Sequence, residues 1–401
     1  MKAGRIFRGD RIIWVVFFLL SIFSLVEVYS SIGLEAYSHP AGSGPTGLFL
    51  KHLVIVVATY IAIILISRIN YRVFSRFAVM GYWISIVLLG VVMVLGVRWL
   101  KIPHIGQFQP SEIAKVVLII FVARVLTLKR ENVKELSTFI MLLVYIGIVA
   151  GMVLFENFST AALIFLTCYL MMVFGGVKRS YWWRLLLVGL VVVTAFLAIN
   201  YYKYKSAIET GSVQEVTIER QMTWGHRVYS WIHPNPEELT QENMARMAIA
   251  RGGMLGVGVG NTVHARLMTQ AHNDFIYAII IEEMGMLGGI VVFMLYSILY
   301  FRCIRLAWRC KGRFGALTVA GMGTVIYLQA LVNMSVAVGV LPVTGQTLPF
   351  ISFGGTAYLF LGCGLGVIQA VAADVEKQER EELEGGTKTT DKTEEIESQS
   401  I

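Results

Sequence analysis

Two segments of the chain bring together residue types able to do acid–base or anion chemistry. The first is Ala271-His-Asn-Asp-Phe-Ile276, where Asp274 opens a long apolar run. A carboxylate at a helix mouth is stabilised by the unpaired N–H groups there. Asp274 therefore reads either as a plain N-cap or, beside His272, as a general base. The second is Gln109-Pro-Ser-Glu-Ile-Ala-Lys115. Pro110 suits a first helical turn, and Glu112 and Lys115, at i and i+3, share a helix face. Inside an apolar span such charges are costly unless paired or wet. They form either an ion pair that fixes packing or the charged wall of an outward-facing cavity. Glu282 and Glu283 lie about 12 Å beyond Asp274 by helical rise and read as structural. No metal-ligand spacing is present, since His264 and His272 stand alone. No nucleophilic Ser–His elbow appears. A single outward carboxylate does not make a paired-carboxylate glycosidase.

Two glycine-rich stretches could shape a site around these groups. Gly252 to Asn261 lacks the Lys-Ser/Thr of a phosphate loop and follows no strand, so nucleotide binding is discarded. Its glycines permit close approach to a ligand or to another helix. Leu341 to Gly355 holds two prolines and several glycines between apolar runs. Irregular backbone at the membrane edge is tolerated where it lines a cavity. Ser352, Gly354 and Gly355 would expose donors there, unless the stretch is only a tight re-entrant turn.

The elements that must position these residues are membrane spans. Of 401 residues, 56% are hydrophobic and 15% charged, against about 25% charged in a soluble domain. That excludes a soluble enzyme and a disordered chain. Ten apolar runs are expected to be transmembrane helices: 12–32, 47–67, 76–97, 112–128, 137–155, 158–177, 182–200, 274–301, 315–340 and 350–373. Stretches such as VVFFLLSIF do not alternate, which argues against a β-barrel. The first run reads as an uncleaved span, not a signal peptide. The fold class is an all-α polytopic membrane protein. Residues 1–373 form the membrane domain, with a large outer loop at about 201–273 between spans 7 and 8. Residues 374–401 form an acidic, disordered cytoplasmic tail.

The net charge of +8 is unevenly spread. From Asp374 onward there are 10 acidic and 4 basic residues, leaving +14 elsewhere. Short loops on one face hold Arg68, Arg72 and Arg76; Lys129, Arg130 and Lys134; Lys178, Arg179 and Arg184; and Arg302, Arg305, Arg309, Lys311 and Arg313. The positive-inside rule makes that face cytoplasmic, with both termini inside. The basic excess is then a topology signal. Nucleic-acid binding would need basic side chains gathered on one soluble element. Cys168, Cys303, Cys310 and Cys363 form no CxxC pair and read as small apolar fillers.

In this order, the four motif blocks resemble the SEDS family (shape, elongation, division and sporulation). The likeness rests on Gln109-Pro-Ser-Glu-Ile-Ala-Lys115, Gly252 to Asn261, His272-Asn-Asp-Phe-Ile276 and Leu341 to Gly355, and covers about residues 12–373. Ala271 ahead of His272 and the Pro342-Val-Thr-Gly-Gln346 wording are similar to the cell-division branch, as against the elongation branch. The chain departs from the pattern in four places. Asn273 stands for Thr or Ser, and Phe353 for Tyr. Glu156-Asn-Phe-Ser-Thr160 replaces a common Pro-Asp-Leu-Gly-Thr block, so no acidic role is carried over there. Gly96-Val-Arg-Trp99 matches a Gly-x-x-Arg-Trp block only loosely.

The resemblance implies a peptidoglycan glycosyltransferase in the cytoplasmic (inner) membrane that joins lipid II units at the outer face and releases undecaprenyl pyrophosphate. Asp274 would be the catalytic base. Glu112, Lys115, Arg227, His272, Ser352 and, more weakly, Arg98 would contact substrate. Arg227 lies in His226-Arg-Val-Tyr-Ser-Trp-Ile-His-Pro234, similar to a family Arg-x-x-x-(Phe/Trp)-x-x-Pro stretch. No cofactor is evident; a divalent cation (Mg or Mn) could help neutralise the pyrophosphate, though no ligand cluster argues for it. The implied partners are a class B penicillin-binding protein, a single-pass transpeptidase, and other membrane proteins of the division machinery. The competing readings are an elongation-type polymerase, a lipid II flippase and a scaffold that only recruits a transpeptidase. A flippase tolerates loss of one base, and a scaffold tolerates loss of the cavity charges.

Overall fold

The computed structural model describes residues 7–31, 45–102, 106–210, 222–234, 240–264, 268, 273–353 and 355–399. Among them the chain forms α1 (Arg11–Ser31), α2 (Pro45–Ser67), α3 (Tyr71–Leu95), β1 (Leu100–Ile102), β2 (Gly106–Phe108), α4 (Pro110–Leu128), α5 (Leu136–Glu156), α6 (Phe158–Phe174), α7 (Arg179–Glu209), α8 (Met222–Ile232), α9 (Gln241–Gly252), α10 (Ile276–Arg309), α11 (Arg313–Ala337) and α12 (Gly355–Gln399). The protein is a multi-pass, almost wholly helical membrane protein. Each expected apolar run falls on a helix. Eight of these, α1, α2, α3, α5, α7, α10, α11 and α12, are long and apolar enough to cross a membrane. The other two are shorter or more polar: α6 has 17 residues, and α4 carries Glu112, Lys115 and Arg124. The one departure from all-α is the antiparallel hairpin β1–β2, pairing Leu100 with Phe108.

Local signals in the sequence set the boundaries. Asn70 caps α3 through its side chain, which accepts from the Arg72 N–H at 3.0 Å, and the left-handed Gly96 ends that helix. Between α5 and α6 there is one extended residue, Asn157, whose side chain accepts from the N–H groups of Ser159 and Thr160. Pro110 opens α4 at its first position.

The inner helices α4 and α11 are buried on nearly every side. α12 lies close on α2: a Cβ at Gly362 or Gly366 would collide with Thr59 or Ile66, so small residues four apart let the backbones meet. α7 stands apart, with only Tyr204 and Ala207 buried, both near its C-terminal end. The 201–273 segment is not a bare loop. α7 runs on to Glu209, and α8 and α9 follow. The tail, expected as a solvated extension, continues α12 as helix. Its Glu379 and Glu382 pair with Arg309 and Lys311 at the foot of α10. Residue counting registered the tail's lack of apolar side chains but not its continuity with a preceding span.

Candidate functional site

The glycine cluster packs against α10, not a ligand. α10 breaks at Gly285, whose φ is 74° and ψ −178°. The loop supplies the backbone bonds lost at that kink: Val257 and Gly258 N–H donate to the Glu282 and Glu283 carbonyls at 2.9 Å, and Met286 N–H donates to Gly253 at 2.9 Å. A side chain at Gly256 would strike the Glu283 backbone, and one at Gly285 the Met254 backbone. Glu282, fully buried, binds this loop from within. Its carboxylate accepts from Thr262 Oγ1 at 2.5 Å, Arg251 at 2.8 Å and His264 Nδ1 at 2.8 Å. Ser30 of α1 donates to Glu283.

This arrangement fixes α10 around its kink; Asp274 lies just ahead of the helix. The cap position is Phe275, and no side chain caps the helix there, so the plain N-cap reading of Asp274 does not hold. The turn around Asp274 is clamped from two sides. Ser352 Oγ donates to the Asn273 carbonyl at 2.6 Å and accepts from Leu348 N–H at 2.8 Å. Asn333 Nδ2 donates to the Asp274 carbonyl at 2.9 Å and to the Gln346 carbonyl at 2.7 Å. Gln346 in turn donates to Thr160 at 2.8 Å. Gly345, at φ +68°, passes beside the carboxylate; a Cβ there would lie 3.8 Å from Asp274 Oδ2, and that backbone conformation favours glycine.

Burial pushes the Asp274 carboxyl up to about 6, against the opposing pull of the Arg227 cation. Burial lowers the Arg227 guanidinium, which Asp274 and Glu242 hold up and Arg98 lowers further. Arg227 donates to the Val343 carbonyl at 3.1 Å and lies 5.5 Å from the Trp224 ring centre. Burial raises Glu242, while Arg246 and Arg227 lower it. A partly buried carboxylate titrating near 6 beside a fixed cation suits a base working at neutral pH.

Glu112 and Lys115 form the predicted pair at 2.9 Å, with Lys115 1% exposed. Lys115 Nζ also donates to Gln329 Oε1 at 2.8 Å, and Gln329 Nε2 donates to the Thr347 carbonyl at 3.0 Å. The pair therefore supports the Leu341–Gly355 stretch from below. Lys115 and Ser352, expected to contact substrate, are both buried and bonded to protein groups. Arg98 is exposed ahead of β1. His272 and Gly354 lie outside the described residues. Motif reading passed over Gln329, Asn333 and Gln346. A search for ionisable groups misses neutral amides, yet Gln329 and Asn333 are four apart inside a span and so share a face. Among the described residues no group of three or more His, Cys, Asp or Glu could hold a metal ion.

Fold and site together define a membrane-embedded protein with a carboxylate–arginine centre braced by neutral amides. Residues 10–377 match the FtsW/RodA/SpoVE family, described as "Cell cycle protein", and the chain belongs to that family. It is 29% identical to a "Probable peptidoglycan glycosyltransferase FtsW" of Coxiella burnetii, over 90% of this chain and 96% of that one. It is 27% identical to the Bacillus subtilis protein of the same description, over 90% of each. The fold is similar to a chain in "Structural coordination of polymerization and crosslinking by a peptidoglycan synthase complex", with TM-score 0.68 and 23% identity over 91% of this chain and 98% of that one. It is also similar to the rod shape determining protein RodA of Thermus thermophilus, with TM-score 0.65 and 21% identity over 91% and 97%.

Proposed function

We propose that this protein is a peptidoglycan glycosyltransferase that polymerises lipid II at the outer face of the cytoplasmic membrane during septal wall synthesis. The observation that carries the reading is Asp274, partly buried, raised to about 6 and facing Arg227. Its carboxylate takes the proton of the acceptor sugar hydroxyl as that oxygen bonds to the anomeric carbon of the donor. The bond from that carbon to the diphosphate breaks, and undecaprenyl pyrophosphate leaves. Arg227 and Arg98, two cations within electrostatic reach of one another, receive the departing charge. Glu112 and Lys115 act by holding the extended segment that carries Gly345. Both termini are cytoplasmic, an orientation supported by Arg302, Arg309, Lys311 and Arg313 at one end of the bundle. A class B penicillin-binding protein is the partner, a reading supported by the fold's likeness to a chain of a peptidoglycan synthase complex.

The test is polymerisation of labelled lipid II by purified protein, with and without its cognate transpeptidase, beside Asp274→Asn. Glycan from the native chain alone is expected. If neither forms glycan even with the partner present, the polymerase reading fails; lipid movement that survives Asp274→Asn would point to a flippase.

A further inference from the structure

Among the described residues, Phe350 is the one residue other than glycine with a left-handed backbone, at φ 60°. A bulky side chain is strained there, and such strain persists only where the surroundings over-determine it. The Phe350 ring is 1% exposed and meets Phe17 of α1 at 5.2 Å and Tyr358 of α12 at 5.7 Å, both edge-on. The carbonyls of both its neighbours are held. Tyr296 of α10 donates to Pro349, and Ser24 of α1 donates to Ile351 at 2.8 Å.

Ser24 is held in turn. Its hydroxyl proton goes to Ile351, so its oxygen accepts from Nε2–H of His52 in α2, at 2.7 Å. Both residues are fully buried. The other imidazole nitrogen has no hydrogen-bond partner among the described residues, and the ring packs against Phe353 and Tyr358. An apolar residue would fill such a place without the cost of a buried unpaired polar atom. What the histidine contributes is one directed donor. The turn it steadies ends beside the candidate base. Ser352, two residues past Phe350, donates to the Asn273 carbonyl at 2.6 Å, next to Asp274.

We propose that His52 is a positioning residue for Asp274, acting through Ser24 and the Ile351 carbonyl to hold the Phe350 turn that sets Ser352 against Asn273. This rests on reading Asp274 as the base of the polymerase, and it adds control of that base from α1 and α2. His52 takes no proton in the reaction.

The test uses the full chain with its cognate transpeptidase, native and as His52→Phe, His52→Gln, Ser24→Ala and the double variant His52→Phe with Ser24→Ala. Rates are taken per molecule able to bind fluorescent lipid II, so misfolded protein does not count. His52→Phe and Ser24→Ala are each expected to lower kcat about 10-fold, the equivalent of one lost buried hydrogen bond, with KM within about twofold of native. A glutamine amide can donate to Ser24 in place of the ring, so His52→Gln should recover most of that loss. The double variant should be no slower than the slower single one, because both residues act along one line. Native kcat in His52→Phe and Ser24→Ala would overturn the proposal. So would losses that multiply in the double variant, or a His52→Gln as slow as His52→Phe.

Hydrogen–deuterium exchange of the same proteins reads the link without activity. Backbone amides in 273–280 and 348–353 should exchange about tenfold faster in His52→Phe, and at the native rate in His52→Gln. Unchanged exchange in His52→Phe would overturn the link. If the native chain makes no glycan, the polymerase reading fails by itself, and exchange still decides whether His52 holds the Asp274 turn.

Discussion

At the scale of single residues, the proposed reaction rests on one carboxylate and one guanidinium. Because burial raises Asp274 to about 6, the proposed base would be protonated and idle below that pH and ionised above it. Polymerisation rate measured against pH should rise through a limb near 6 and level off toward neutral pH. Arg227 opposes the rise, so Arg227→Gln should move the limb to higher pH; an unmoved limb would show that another group controls it. Asp274→Asn should cost about 10²- to 10⁴-fold in turnover, the usual worth of a positioned base. Asp274 was legible in the sequence because a carboxylate before an apolar run is conspicuous. Its clamps were not, because Asn333 and Ser352 have ordinary side chains whose roles come from where α11 and the strand after it pass.

At the scale of elements, the site depends on two backbone devices. The first is the loop after α9, which replaces the hydrogen bonds missing at Gly285. Gly256→Ala sets a methyl against the Glu283 backbone, in a left-handed conformation that alanine resists. It should destabilise the protein by about 1–3 kcal/mol, the range for overpacking, seen as a lower unfolding temperature in detergent. A native unfolding temperature would refute the splice. The second is the prop from α4 through Lys115 and Gln329 to Thr347. Glu112→Gln leaves a buried ammonium without its counter-charge, a loss of about 3–5 kcal/mol when one member of a buried pair is removed. Inserted but poorly active or unstable protein is expected; normal glycan synthesis and stability would show that the pair is dispensable. The glycines were visible in the sequence as a cluster. Their partner was not, since nothing local in Gly252 to Asn261 points to residues 281–286.

At the scale of the whole molecule, the bundle keeps its polar work at one end and its basic anchors at the other. Among the described residues the helical tail meets the anchors through exposed pairs, Arg309–Glu379 and Lys311–Glu382, and such pairs contribute little. Cutting the chain after Lys377 should leave polymerisation in vitro and unfolding temperature near native values; a dead enzyme would make the tail part of the machinery. The sequence by itself determined the class of architecture and the spans, because a bilayer demands apolar runs of a set length. It also determined the candidate base and the Glu112–Lys115 pair, because charges inside such runs are few. Only the packed chain shows that Ser352 and Lys115 are bonded within the protein, that α8 and α9 order much of the 201–273 segment, and that the glycine loop closes on the kink in α10. These depend on contacts between residues tens to hundreds of positions apart, which no local spacing encodes.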